Sequence, residues 1–174
     1  FNAVITEPKG NPWQLGGYGG IWMDPMDIYT FSISVVPNHI KEHMRRRDVT
    51  PDDMDRLFLH QANKIIVDGI LKRVGIDKTR VPCESLGSYG NLGIASIPAL
   101  ICAHHAGEGK NPASAGHKNS MLCGFGSGLA WGSVILSLEN TTILPVQDFL
   151  ASGHMPTRAE CITPWHPNFS TGPK

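Results

Sequence analysis

The chain has 174 residues, 41% of them hydrophobic and 17% charged, which suits one packed domain or a large piece of a bigger one and excludes a disordered tail. Its 15 basic and 15 acidic residues cancel, so no global field argues for nucleic acid or an anionic membrane, and any basic patch is local. Four cysteines, Cys83, Cys102, Cys123 and Cys161, stand at irregular spacings without a CxxC pair, signal peptide or long apolar run; a reduced, soluble, cytoplasmic protein without membrane insertion is expected.

"FNAVITE" reads as a strand fragment without an initiating methionine or a cap, as if the chain began mid-fold. The Gly- and Pro-loaded "PKGNPWQLGGYGG" that follows reads as a surface loop, and its aromatics Trp13, Tyr18 and Trp22 serve as loop anchors more simply than as the lining of a substrate entrance. Asp24 is an N-cap candidate with Pro25 at the first helical position, and Ile28, Phe31 and Val35 recur at helical spacing, so a helix kinked or restarted near Pro37 is predicted. His39 and His43 are spaced to share a metal, but no third ligand is spaced to help them, and "EHMRRR" reads as a solvated face; no metal site is expected. Thr50 before Pro51, with Asp52 and Asp53, marks a second capped turn.

"RLFLH" then reads as a short buried strand, and Asn63 to Val74 as a helix carrying Ile66, Ile70 and Val74 on one stripe. His60 therefore stands at the carboxyl end of a strand, facing a helix N-terminus, on the edge where open α/β sheets bind ligands. A strand-end histidine bonded to a carbonyl, with Asn63 as a helix cap, accounts for these residues equally simply. "SLGSYGNLGIASIPALICAHHAG" supplies a Gly-rich turn, Asn91, and a helix with small residues on its early turns. In "NSMLCGFGSGLAWGSVILSLE" a strand, the turn Gly124 to Gly128 and a second strand from Leu129 to Leu138 are predicted. That glycine run leads into a strand rather than a helix, which rules out a dinucleotide or phosphate loop and leaves backbone N–H groups open to an oxyanion. Cys83 and Cys102 read as packing residues, and Cys123 as a small hydrophobe with nothing nearby in sequence to make it a thiolate.

"HQAN" at residues 60–63, "GN" at residues 90–91 before a small-residue helix, and "FGSGLAWGS" ahead of the last strand, in that order, resemble the C-terminal half of β-ketoacyl-acyl-carrier-protein synthase III, within the thiolase superfamily. The resemblance runs from about Met23 to Leu138. It implies an α/β, thiolase-like fold: a mixed five-stranded sheet flanked by helices, half of a five-layer α-β-α-β-α architecture. It also implies decarboxylative Claisen condensation of an acyl thioester with a malonyl thioester by a Cys-His-Asn triad. His60 and Asn91 are then the triad histidine and asparagine, two neutral donors aimed at the enolate oxygen. Gly126, Ser127 and Gly128 match the oxyanion loop, where Ser127 stands in place of the usual glycine and would be strained at positive φ. Asn63 and Phe125 fall at positions beside the pantetheine arm, and Lys72 and Arg73 at positions near the pocket mouth that meet an acyl carrier protein. His60, Asn91 and the loop backbone are expected to converge on one cavity.

The nucleophilic cysteine of that family lies in an N-terminal half, which is expected as a partner, whether a separate chain or a missing segment. No cofactor is implied; the substrates are acyl-CoA and malonyl-acyl-carrier-protein, handled by a dimer. The organisation expected is residues 1–22 as the end of the N-terminal half, 23–139 as the C-terminal thiolase-like domain, and 140–174 as an irregular extension or scar. A non-catalytic ketosynthase-like partner subunit, an acyltransferase of specialised metabolism, and a Cys123–His60 hydrolase dyad stay open as alternatives.

Overall fold

The computed structural model describes residues 4–5, 22–107, 117–144 and 146, and for 4–5, 22–23 and 106–107 the backbone alone. Most of the 1–22 and 140–174 segments, the aromatic loop of Trp13 and Tyr18, and Cys161 lie outside the described residues. Strand β1 (Val4–Ile5) pairs antiparallel with β2 (Trp22–Met23). Helix α1 (Pro25–Arg46) opens where Asp24 Oδ1 accepts the N–H groups of Met26 and Asp27 at 2.9 and 3.0 Å. Of the two outcomes expected at Pro37, a kink or a restart, the helix does not restart: Pro37 is fully buried inside one continuous element. Packing of this face offsets the backbone hydrogen bond that a proline removes. Nor is "EHMRRR" a fully solvated face, since Met44 is buried and His43 half-buried, because the helical period turns them inward while Arg45 to Arg47 stay exposed.

The short turn Pro51–Asp53 follows, with the Asp53 carboxylate accepting the Thr50 N–H and hydroxyl. Arg80 clamps it from a distance, donating Nη1 to the carbonyls of Pro51, Asp52 and Met54 at 3.2, 2.6 and 2.9 Å. Strand β3 (Arg56–Leu59) has Leu57, Phe58 and Leu59 wholly buried, so both sides of it are covered, as expected of a strand with a continuous apolar run. Helix α2 (Lys64–Val74) buries Ile66, Val67, Ile70, Leu71 and Val74 and ends at Gly75, whose φ of 83° is left-handed backbone that a side chain disfavours.

Helix α3 (Glu84–Tyr89) occupies most of what the glycines suggested was a turn, and α4 (Ser96–Gly107) follows Asn91. Strands β4 (Ser120–Gly126) and β5 (Ala130–Leu136) form a hairpin whose connection is residues 127–129, shorter than the predicted glycine turn. Gly124 and Phe125 are strand residues, paired with Gly132 and Trp131.

The sheet order is β3-β4-β5, with β3 parallel to β4 and β4 antiparallel to β5. The α/β class and the mixed sheet are as expected. Among the described residues the mixed sheet has three strands, and β1-β2 is a separate ladder. Alternation divides the sheet into two faces. Leu57, Leu59, Met121, Cys123 and Phe125 join Phe31, Ile40, Ile66 and Ile70 under α1 and α2, whereas Phe58 meets Leu100 and Leu138 on the α4 side. Among the described residues no helix is long and apolar enough to cross a membrane.

Candidate active site

Strands β3 and β4 end side by side, in register from Arg56↔Ser120 to Leu59↔Cys123, and His60 continues the ladder by donating its N–H to the Cys123 carbonyl at 2.9 Å. The chain then turns, Ala62 N–H bonding back to the His60 carbonyl at 3.0 Å, and Asn63 starts α2 by accepting the Ile66 N–H on Oδ1 at 2.9 Å. Gln61 is buried between them, its Nε2 donating to the Leu59 carbonyl at 2.8 Å. The "HQAN" run is thus the strand-to-helix junction itself.

A cleft of about 910 Å³ opens at this edge. His60, Asn63, Asn91, Phe125, Gly126 and Ser127 all line it. His60 is half-buried, and burial lowers its imidazole pKa below the ordinary 6.5. The Phe125 ring meets the imidazole edge-on, centroids 5.3 Å apart at 90°, so its apolar edge adds to what keeps the imidazole neutral near pH 7. Asn91 is exposed on the opposite rim, where its Oδ1 accepts the Gly93 N–H at 3.0 Å. That bond identifies which end of the carboxamide is oxygen and leaves the NH₂ for a ligand. The same logic applies to Asn63.

The remaining candidate residues fall outside the cleft. Gly128 is not on its wall: it is the tight residue of the hairpin, with φ 141°, where an added Cβ would come within 2.9 Å of the Ala130 N. Ser127 is not among the positive-φ residues, so its side chain in place of glycine carries no backbone strain. Lys72 and Arg73 are exposed on the last turn of α2, roughly 13 Å along the helix from Asn63. A helix whose first turn borders the cleft puts its last turn at the far end, so neither residue lines the cleft. Arg73 Nη1 donates to the Gly69 carbonyl at 3.1 Å, completing that end.

Cys123 is buried in the core with its thiol pushed up to about 12, so a thiolate paired with His60 is not formed there. Cys102 is half-buried on α4 and also raised by burial, while Cys83 is exposed, rather than packed, at the start of α3. His39 Nε2 and His43 Nδ1 both meet Ser133 Oγ, at 2.9 and 2.5 Å, holding α1 to β5. Among the described residues no group of three metal-ligating side chains is gathered.

Sequence patterning marks Ile28 and Phe31 only as helix-spaced apolar residues and misses Ser32, Ile94 and Trp131, and all five line the cleft. The helical stripe of Ile28 and Phe31 was visible. That its upper turn overhangs a strand edge was not, because the pairing of Phe31 with Trp131, rings 5.4 Å apart, spans a hundred residues of chain.

A profile of the family described as 3-oxoacyl-[acyl-carrier-protein (ACP)] synthase III C terminal matches residues 44–138. A beta-ketoacyl-[acyl-carrier-protein] synthase III of Streptococcus pneumoniae is 35% identical over 116 residues, which is 67% of this chain and 35% of that protein. The chain therefore spans about a third of the length of this curated relative. Among solved structures, 3-oxoacyl-(acyl carrier protein) synthase III of Pseudomonas aeruginosa superposes with a TM-score of 0.65 at 24% identity, covering 83% of this chain and 42% of that one. The Thermus thermophilus synthase III gives 0.63 at 25% identity, covering 80% and 42%.

Proposed function

The chain belongs to the family of synthase III C-terminal domains and has its thiolase-like fold, and from that premise we propose that it supplies the histidine and asparagine of a decarboxylating condensing enzyme. The observation that carries this reading is the meeting of His60 and Asn91 in one cleft beside the backbone of residues 124–127. Decarboxylation moves the C–C bond electrons of a malonyl thioester into an enolate and releases CO₂. A neutral imidazole N–H and a carboxamide NH₂ stabilise the charge on the thioester oxygen without losing a proton of their own. Burial that holds His60 neutral suits it to that task.

The enolate carbon then attacks an acyl group carried as a thioester on a cysteine. The tetrahedral oxyanion is met by backbone N–H groups of the Gly126–Ser127 turn, and the cysteine leaves as thiolate. That cysteine is proposed to reside in an N-terminal half, in a dimeric cytoplasmic enzyme that uses coenzyme A and acyl-carrier-protein thioesters and no cofactor. The reading assigns Asn63 and Phe125 to the pantetheine arm, and Lys72 and Arg73 to carrier-protein contacts, where ion pairing is salt-sensitive.

His60→Ala and Asn91→Ala in the complete protein are each expected to slow CO₂ release from malonyl thioester by about a hundredfold to a thousandfold. Acylation of the cysteine should persist in both, and the double variant should be little worse than either single one, because both donors serve one charge. A CO₂-release assay beside mass spectrometry of the acyl-enzyme checks this. Wild-type rates in both variants would overturn the proposal in favour of a non-catalytic partner subunit.

A further inference from the structure

Asn91 stands on an exposed rim, yet the chemistry proposed for it needs its NH₂ in register with His60. The loop that carries it is built to swing. Residues 91–95 are exposed, and Gly90 and Gly93 on either side of Asn91 have φ of 68° and 58°, left-handed backbone that favours glycine. Ser96, the first residue of α4, is 1% exposed directly after this stretch, and its Oγ accepts the Leu92 N–H at 3.1 Å. A serine at a helix start ordinarily accepts an N–H from the helix it opens. Here the hydroxyl reaches back four residues, so it serves the loop.

The Leu92 N–H belongs to the planar peptide that leaves Asn91, so the bond to Ser96 fixes that plane and with it the ψ angle of Asn91. The next peptide is held from the other side, because the Gly93 N–H donates to Asn91 Oδ1 at 3.0 Å. Main chain and carboxamide of Asn91 are thus set together. Ser96 in turn has a fixed reference. It lies one turn from Leu100 on α4, both residues are buried, and Leu100 shares a core cluster with Phe58 of β3. His60 follows β3 directly. Both donors are therefore measured from one strand: His60 along the chain, and Asn91 through Phe58, Leu100 and Ser96. Ser96 does not line the cleft, so its effect on a ligand passes through Asn91.

We infer that Ser96 is a positioning residue for Asn91, its hydroxyl holding the Asn91–Leu92 peptide so that the carboxamide NH₂ faces the enolate oxygen beside His60. This rests on the condensing-enzyme reading for what Asn91 does and adds how Asn91 is held.

The test compares Ser96→Ala, Asn91→Ala and the double variant of the complete protein. Ser96→Ala should lower kcat for CO₂ release about tenfold, since a small misplacement of a reacting group is enough, and leave KM and acylation of the cysteine unchanged. Hydrogen exchange at the Leu92 amide, followed by NMR, should quicken about fivefold, the equivalent of one ordinary hydrogen bond. Added to Asn91→Ala, the serine change should slow CO₂ release by less than about twofold more, because it acts through the side chain already removed. A full tenfold loss on that background, or an equal slowing of acylation, would show a merely structural serine and overturn the inference. Ser96→Gly and Ser96→Thr, which delete and keep the hydroxyl, extend the test: kcat should fall in whichever variant loses Leu92 protection, and protection lost without loss of rate, or the reverse, would also overturn it. A slow Asn91→Ala beside a wild-type Ser96→Ala sinks this inference and spares the enzymatic reading. If Asn91→Ala itself releases CO₂ at the wild-type rate, the enzymatic reading falls. Leu92 exchange and the Asn91 NH₂ resonances in Ser96→Ala then decide whether the serine sets that side chain: both altered supports the inference, and either unchanged overturns it.

Discussion

The two faces of the three-stranded sheet come from alternate residues of the same strands, yet they end very differently. Toward α1 and α2 the chain closes a continuous core that includes Leu57, Leu59, Ile66, Ile70, Met121 and Cys123. Toward α4, among the described residues, Phe58, Leu100 and Leu138 form a smaller buried cluster, while Ile94 is 101% exposed and Leu92, Tyr89 and Val134 are 40%, 45% and 46% exposed. Among the described residues, one face is covered by α1 and α2 and the other presents apolar surface. The cleft lies on the boundary between them. His60 is therefore anchored from the complete side, whereas Asn91 stands on the open rim, and a constellation that needs both donors in register depends on what covers that rim.

The largest test of this contrast is truncation of one buried leucine from each face. Leu59→Ala is expected to lose about 4 kcal/mol and Leu100→Ala about 2 kcal/mol, because a cavity in a thick core relaxes less than one near an open face. Urea unfolding of the two variants gives the difference, and equal losses would break the comparison.

Caps sharpen it at a smaller scale. Asn63 closes the first turn of α2, so Asn63→Ala should destabilise by about 1 kcal/mol. Asn91 bonds only the Gly93–Ala95 turn on the exposed rim, and its removal should cost well under half of that. Thermal melts at matched pH compare them, and a larger loss at Asn91 would show that the rim is as rigid as the core side.

The smallest effect is in pH. Burial lowers the folded-state pKa of His60 below 6.5, and burial followed by the charges of His43 and Arg46 lowers that of His39. With a depressed folded value, the unfolded chain takes up each proton first. The stability from the neutral imidazoles is thus complete above pH 6.5, declines as pH falls below it, and is lost once pH has passed the lowered folded values. His60→Gln should flatten this slope more than His39→Gln, whose imidazole is less buried. A denaturation midpoint independent of pH between 7 and 5 would contradict the burial of His60. The same lowering predicts that the acidic limb of the CO₂-release profile lies below pH 6.5.

Local chemistry made much of this legible without coordinates. Asp24 with Pro25 marks the start of α1, Asn63 the start of α2, and "RLFL" reads as a covered strand, because each signal involves residues within one helical turn or a strand's alternation. The hairpin is legible too, but its connection is shorter than the glycine run suggests: pairing of Gly124 with Gly132 and Phe125 with Trp131 extends both strands into the glycines. Helix α3 was hidden for the opposite reason. Six residues containing Gly87 are too short to be helical on their own and are held against α4 by packing.

The sequence alone determined that His60 ends a covered strand and that Asn91 follows a glycine and precedes a helix, since hydrophobic period and turn chemistry are local properties. Only the tertiary structure decided that they share a cleft, that Ile28, Phe31, Ser32 and Trp131 share it with them, and that Gly128, Lys72 and Arg73 do not. Membership of a cleft is fixed by distances between residues far apart along the chain. Those distances follow from which strands pair and which helix faces pack, and both are settled by burial of the whole chain rather than by any segment of it.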